Sequence, residues 1–241
     1  MRLGSEQTGC GCLYENSFAC EPTLRGIFVP ITTPEWLRRG LYAITPDEPD
    51  TQRLLGRIEP VLGAGVALLQ YRNKTADAAL RLDQALMLQL LCGRYSVPLI
   101  INDDVALAKA IAANGVHLGE DDGNIAAARA ILGHNAIIGA SCYSSLNRAQ
   151  SMARTGADYL AFGAFYQTTT KPAACRAHPG LLGEAKRFGL PLVAIGGIRP
   201  QNVCRLRDAG ADLIAVIAGL WDAPDPVVAA QAYVTAFNEA A

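Results

Sequence analysis

Gln70, Arg72 and Lys74 stand at alternate positions where an apolar run, Val66 to Gln70, turns polar. Strand side chains alternate between two faces, so these three share one face and Tyr71 and Asn73 take the other. An amide and two cations collected at the C-terminal end of a strand suit an anionic group such as a phosphate or pyrophosphate. The competing reading is a strand end whose charges are simply solvated. The next two apolar runs end in acids: Ile101-Asn102-Asp103-Asp104, then Val116-His117-Leu118-Gly119-Glu120-Asp121-Asp122. Carboxylates from neighbouring strand ends match a hard divalent cation; Mg2+ takes one or two of them and completes its shell with water and substrate phosphate. Asp is also a favoured helix cap, so Asp103 or Asp104 has a structural alternative, and Glu120 to Asp122 have a solvated one. His117 alone reads more readily as a packed strand histidine than as a base.

Further along, Gly139-Ala140-Ser141 closes a fifth run, and Ala164 to Pro172 follows a sixth. That segment carries Thr168, Thr169, Thr170 and Lys171, hydroxyls and a cation able to cradle phosphate oxygens. The pair Gly196-Gly197 after a seventh run allows backbone N–H groups to approach a ligand closely.

These residues need a frame that brings strand ends together. Apolar runs recur at Leu41 to Ile44, Val66 to Gln70, Pro98 to Ile101, Val116 to Leu118, Ala136 to Ala140, Tyr159 to Gly163, Leu192 to Gly196 and Leu213 to Ile217. Segments of helical spacing follow them: Thr51 to Ala64, Asp77 to Gly93, Val105 to Ala113, Ile125 to Leu132, Ser145 to Thr155, Gly180 to Phe188, Pro200 to Ala209 and Pro226 to Asn238. Eight strands each followed by a helix predict a closed (β/α)8 TIM barrel, an α/β fold whose chemistry lies at the C-terminal strand ends. An open doubly wound sheet is the rival. In barrels the ends of strands seven and eight frequently hold a phosphate, which gives Gly196 and Gly197 added weight.

The expected organisation is a single barrel domain over residues 40–241 behind an irregular N-terminal arm, residues 1–39. In the arm no period is sustained, and Cys10, Cys12 and Cys20 cluster without a second pair at zinc spacing. The chain has 241 residues, 51% hydrophobic and 18% charged, enough for a large core. A net charge of -1 gives no electrostatic footprint for nucleic acid or an anionic membrane. No apolar run is long enough to cross a bilayer and the start lacks the regions of a signal peptide, so a cytoplasmic location is expected. Seven scattered cysteines do not resemble a secreted disulfide framework. The sequence leaves a homo-oligomer open.

Taken together, Gln-x-Arg-x-Lys at Gln70 to Lys74, Ile-Asn-Asp at Ile101 to Asp103, Val-His-Leu-Gly-x-x-Asp at Val116 to Asp122, Gly-x-Ser at Gly139 to Ser141, Thr-x-Thr-Lys at Thr168 to Lys171 and Gly-Gly-Ile at Gly196 to Ile198 resemble the thiamine phosphate synthase family, in its order, from about Leu41 to about Leu220. The resemblance implies a TIM-barrel transferase with Mg2+. It would join two small molecules, a hydroxymethylpyrimidine pyrophosphate and a thiazole phosphate, into thiamine monophosphate, releasing pyrophosphate. Carried over by position, Gln70, Arg72 and Lys74 would bind the pyrimidine pyrophosphate, with Asn102, Ser141 and Lys171 closing around it. Asp103 and Asp122 would hold the metal, and the match favours Asp103 over Asp104. Thr168, Thr170, Gly196 and Gly197 would hold the thiazole phosphate, and His117 would contact the pyrimidine.

Arg72, Lys74, Lys171 and Ser141 form the implied catalytic set. The family is thought to follow a dissociative route in which the leaving group departs first, and no general base is then required. The chain differs from the family pattern in two places. Gly163-Ala164 stands where Gly-Pro is usual, and Ile217-Ala218-Gly219 ends strand eight without a hydroxyl, leaving backbone N–H groups of Ile217 and Ala218 to meet the phosphate. Two other readings accompany this one: a thiazole tautomerase-like isomerase on the same barrel, and a non-catalytic phosphate-binding barrel.

Overall fold

A computed structural model describes residues 38–167 and 177–239. Eight strands, β1 (Gly40–Ile44), β2 (Leu68–Tyr71), β3 (Leu99–Asn102), β4 (Gly115–Leu118), β5 (Ile137–Tyr143), β6 (Tyr159–Phe162), β7 (Leu192–Ile195) and β8 (Leu213–Val216), are parallel and close into a barrel. Closure is made by β1 on β8, in register from Gly40 opposite Leu213 to Ala43 opposite Val216. The open-sheet alternative is thereby excluded. Around the barrel run α1 (Thr51–Gly63), α2 (Ala78–Tyr95), α3 (Val105–Ala110), α4 (Ile125–Leu132), α5 (Leu146–Arg154), α6 (Gly180–Ala185), α7 (Pro200–Ala209), α8 (Ala218–Trp221) and α9 (Pro226–Asn238).

Local chemistry sets the helix starts. Asp50, Asp77, Asp104, Asn124, Ser145 and Asp225 each accept a hydrogen bond from a backbone N–H of the first turn, satisfying donors that a helix leaves orphaned. Strand alternation then sorts the core into two layers. Leu41, Leu69, Ile101, Val116, Ile138, Leu160, Ala194 and Ile214 face the helices, whereas Tyr42, Leu68, Ile100, Ile137, Tyr159, Val193, Leu213 and Ala215 fill the bore.

Four departures from the sequence expectation go beyond a shift of one or two residues at an element's end. β5 runs on to Tyr143 because a bulge between Ser141 and Tyr143 shifts its register against β6. α3 stops at Ala110, followed by Ala112 in the left-handed region at φ 51°. α6 tightens into a 3-10 turn over Lys186–Phe188. α8 was not anticipated: four residues carry no readable period, yet Trp221 closes it onto β1, its indole Nε1 donating to the Ile44 carbonyl at 2.6 Å.

Candidate active site

In a parallel barrel all strand C-termini share one rim, and the polar ends of β2, β3 and β4 meet there around a cleft of about 630 Å3 lined by Arg72, Lys74, Asn102, Asp103 and Asp122 among others. The end of β2 is held by its neighbour. Thr45, fully buried after β1, donates from Oγ1 to the Arg72 carbonyl at 2.8 Å and accepts from the Arg72 N–H at 2.9 Å. Asp47 accepts from the Arg72 guanidinium at 3.2 Å and from the Lys74 backbone N–H at 2.8 Å. The alternation read from sequence holds: Tyr71 and Asn73 turn outward, bonding to Gln84 at 2.9 and 3.1 Å. Gln70 turns into the bore, where its Nε2 donates to the Tyr42 hydroxyl at 2.7 Å.

The acids divide their tasks. Asp104 caps α3, accepting from the Leu107 N–H at 2.9 Å, and lies 3.8 Å from Arg81. Asp103 is left to face the cleft, with φ at 64°, a left-handed backbone rarely adopted by residues other than glycine. Its N–H donates to the His117 carbonyl at 2.9 Å, and its carboxylate accepts from Asn102 Nδ2 at 2.5 Å. Lys74 Nζ stands 4.0 Å away. Asp122 lies within hydrogen-bond reach of Asp103 and accepts from the Gly119 N–H at 3.0 Å. Burial, then the facing Asp122 carboxylate, raise Asp103 to about 6 against the pull of Lys74 and Asn102. Two carboxyl groups pressed together in this way repel when both are ionised, and a cation between them relieves the repulsion. Among the described residues no group of three or more His, Cys, Asp or Glu assembles as a metal centre. A carboxylate pair, completed by water and phosphate, is the donor set Mg2+ accepts.

Below this cleft a line of hydrogen bonds crosses the bore. Tyr42 and Tyr159 hydroxyls are 2.8 Å apart, Tyr159 Oη is 2.9 Å from His117 Nδ1, and His117 Nε2 is 2.9 Å from Ser141 Oγ. Burial drives both phenols well above their usual range and lowers His117 to about 4, although the residue as a whole is only half-buried. Near neutral pH the imidazole is uncharged. Ser141 thus sits beside His117, and Arg148 fixes the adjoining loops, its Nε donating to the Ser141 carbonyl at 2.6 Å and Nη2 to the Gly119 carbonyl at 3.0 Å.

The opposite side of the rim is built from backbone. Gly196 and Gly197 follow β7 with φ of 102° and 62°. A Cβ on Gly196 would fall 2.4 Å from Ala164 Cβ, and one on Gly197 would fall 2.2 Å from the Gln167 carbonyl oxygen. The pair therefore makes room for the segment leaving β6, whose Tyr166 N–H donates to the Gly196 carbonyl at 3.0 Å. Ile217 and Ala218 begin α8 directly after β8. Thr168, Thr170 and Lys171 lie outside the described residues, as do Cys10, Cys12, Cys20 and the arm up to residue 37. Thr45, Asp47, Tyr42, Tyr159, Arg81 and Arg148 were missed from sequence. The first two lie beyond a strand with no flanking motif, and a strand tyrosine counts as apolar until the bore shows where its hydroxyl points. A second depression, among Arg39, Arg207 and Phe237, lies away from the strand C-termini, and its arginines are already paired with Asp212 and Asp208.

A closed parallel barrel with cations, an amide and paired acids on its C-terminal rim defines a TIM-barrel enzyme equipped for phosphorylated ligands. The comparisons narrow the class. The family model described as thiamine monophosphate synthase matches residues 41–220, and the chain belongs to that family. A thiamine-phosphate synthase of Xanthomonas campestris pv. campestris (strain 8004) is 58% identical over 201 residues, 83% of this chain and 97% of that protein. One from Xylella fastidiosa (strain 9a5c) is 50% identical over 83% of this chain and 85% of its own. Among solved structures, the thiamine phosphate pyrophosphorylase from Pyrococcus furiosus superposes with a TM-score of 0.75 at 30% identity, covering 84% of this chain and 96% of that one.

Proposed function

We propose that this chain condenses 4-amino-2-methyl-5-(diphosphooxymethyl)pyrimidine with thiazole phosphate to give thiamine monophosphate and pyrophosphate. One observation carries the reading: in a chain of this family, Arg72, Lys74, Asn102, Asp103 and Asp122 line one cleft of about 630 Å3. In the reaction the bond from the pyrimidine methylene carbon to the pyrophosphate oxygen breaks, its electron pair leaving with pyrophosphate, and the thiazole nitrogen lone pair forms the new C–N bond. No proton has to move. The work left to the protein is to meet developing negative charge, to hold two rings together and to exclude water.

Arg72, with a planar fork of donors, and Lys74 meet the pyrophosphate, joined by Lys171 on the strength of the resemblance. Asp103 and Asp122 fit Mg2+, which when bound supplies further positive charge to the leaving group. Asn102 steadies the Asp103 carboxylate and adds a donor; Ser141 and His117 contact the pyrimidine, and Gln70 braces the bore beneath it. Thr168, Thr170, Gly196, Gly197, Ile217 and Ala218 take the thiazole phosphate. The substrates are small and soluble, and none of the described helices is long and apolar enough to cross a membrane; the reading carries a cytoplasmic location with it.

The test is to mix the purified chain with both substrates and Mg2+ and to follow pyrophosphate and thiamine phosphate together. Stoichiometric appearance of both is expected. Rearrangement of the thiazole phosphate alone would indicate a tautomerase, and binding without turnover a phosphate-binding barrel.

A further inference from the structure

Of the two cations at the end of β2, Lys74 has the looser side chain. It is 58% exposed, and among the described residues its Nζ has one ion-pair partner, Asp103 at 4.0 Å. Its placement therefore depends on its backbone, and that backbone is gripped by the segment between β1 and α1. A single atom, Asp47 Oδ1, accepts from Arg72 Nη1 at 3.2 Å and from the Lys74 backbone N–H at 2.8 Å. The outward side of the same stretch is pinned by two amides, Asn73, 6% exposed, and Gln84, fully buried. Backbone groups with a single role fix how these amides lie. Asn73 Oδ1 receives the N–H groups of Thr75 and Ala76, each at 3.2 Å, while its Nδ2 donates to the Glu48 carbonyl at 2.8 Å. Gln84 Nε2 donates to that same carbonyl at 2.8 Å, which leaves Gln84 Oε1 to accept from Asn73 at 3.1 Å and from the Tyr71 hydroxyl at 2.9 Å. Glu48 is itself anchored, its carboxylate accepting from the Asp50 N–H at 3.0 Å and from Arg53 Nε at 2.7 Å. Asp47 adjoins Glu48 in the chain, so the bonds that pin Asn73 also fix where Asp47 stands.

We propose that Asp47 is a positioning residue: its Oδ1 sets the Arg72 guanidinium and the Lys74 main chain in register before an anion arrives, and the buried Asn73–Gln84 pair keeps that oxygen in place. The role rests on the function proposed above, in which Arg72 and Lys74 meet the pyrophosphate. A carboxylate beside an anion's site repels the anion, and what it returns is order. Arg72 and Lys74 repel each other, and an acceptor shared between them removes ordering that binding would otherwise have to supply. Asp47 occupies only the Nη1 end of the guanidinium, so the remaining N–H groups stay available to phosphate oxygens.

Charge and position predict opposite results when Asp47 is changed. If the carboxylate acted through its charge alone, Asp47→Ala and Asp47→Asn would both tighten pyrophosphate binding, and equally, since each removes one negative charge. Positioning predicts a split. Asp47→Asn keeps an oxygen able to accept from Arg72 and Lys74 together and is expected to bind close to the parent. Asp47→Ala loses that acceptor and is expected to bind about tenfold more weakly, the scale of one hydrogen bond. The probe is inorganic pyrophosphate with Mg2+, titrated calorimetrically into the full chain, with a melting temperature for each variant. The Asp47 side chain is 36% exposed, so the Ala variant is expected to stay folded; Asn73→Ala, which loosens the outward side, gives a second route to the same loss. In turnover Asp47→Ala should lower kcat/KM for the pyrimidine substrate about tenfold and leave KM for the thiazole phosphate in place. A folded Asp47→Ala chain that binds pyrophosphate as tightly as the parent or more tightly, or an Asp47→Asn chain as weak as Asp47→Ala, would overturn the proposal. If the pyrophosphate affinities fall in the expected order while the parent makes no thiamine phosphate, the proposed reaction fails and the positioning role stands.

Discussion

The two sides of the barrel rim are made of different materials. Around β2, β3 and β4 the cleft is walled with side chains that carry charge: Arg72, Lys74, Asp103 and Asp122. Around β7 and β8 the matching positions are Gly196, Gly197, Ile217 and Ala218, which can offer only backbone. The contrast follows the chemistry proposed for each side. A departing pyrophosphate gains negative charge as its bond breaks, so its site needs strong and correctly signed groups. The thiazole phosphate keeps the same charge throughout and needs only to be held, which backbone N–H groups do without the desolvation of further ions.

Removing charge from the first side should have the largest effects. Chelating divalent cations should abolish pyrophosphate release, and added Mg2+ should restore it; turnover that continued in chelator would break the contrast at its centre. Arg72→Ala should lower kcat by roughly 10²- to 10³-fold, the scale of losing a transition-state donor, with little change in melting temperature because among the described residues the guanidinium supports only Asp47. Asp122→Asn should slow release by a comparable factor and raise the Mg2+ concentration needed for half-maximal rate, as read from a metal titration. On the other side, Gly197→Ala should act on binding. Its Cβ would collide with the Gln167 carbonyl, so KM for the thiazole phosphate should rise about tenfold while KM for the pyrimidine substrate holds. Equal effects on the two would show that the sides are not separate.

The smallest effect concerns stability. Tyr233 of α9 donates to the Ile198 carbonyl at 2.8 Å, bracing the backbone side from behind. Tyr233→Phe should cost about 1 kcal/mol, a few degrees of Tm. Burial pushes this phenol up to about 12, whereas in an unfolded chain it titrates near 10. Between those values the unfolded state releases its proton first, so stability is intact below about pH 10 and declines as pH rises toward 12. Denaturant melts across that window should show a shallower decline for the Phe variant.

The same contrast governs what could be read in advance. Arg72, Lys74, Asp103 and Asp122 stand out in sequence because a charge at the end of an apolar run is conspicuous, and helical spacing marks out the regular helices. α4, α7 and α9 consequently begin and end at their expected residues. Gly196 and Gly197 stand out by type, and the structure adds a second reason for them: a Cβ on either would collide with Ala164 or Gln167. Tyr42 and Tyr159 could not be found at all, since 117 residues separate two hydroxyls that touch only once the barrel has closed.

The segment that leaves β6 is fastened where it departs and where it returns: Phe165 and Tyr166 bond to the carbonyls of Ile195 and Gly196, and the Ala177 N–H comes back to the Ala164 carbonyl at 2.8 Å. The described ends of this connection, Phe165 and Tyr166 on one side and Ala177 on the other, are thus both sewn to the barrel, as a stitch is. For such a stitch each doubling of length adds only about 0.6 kcal/mol of closure entropy, so evolution can lengthen or trim it at small thermodynamic expense and leave the barrel beneath undisturbed.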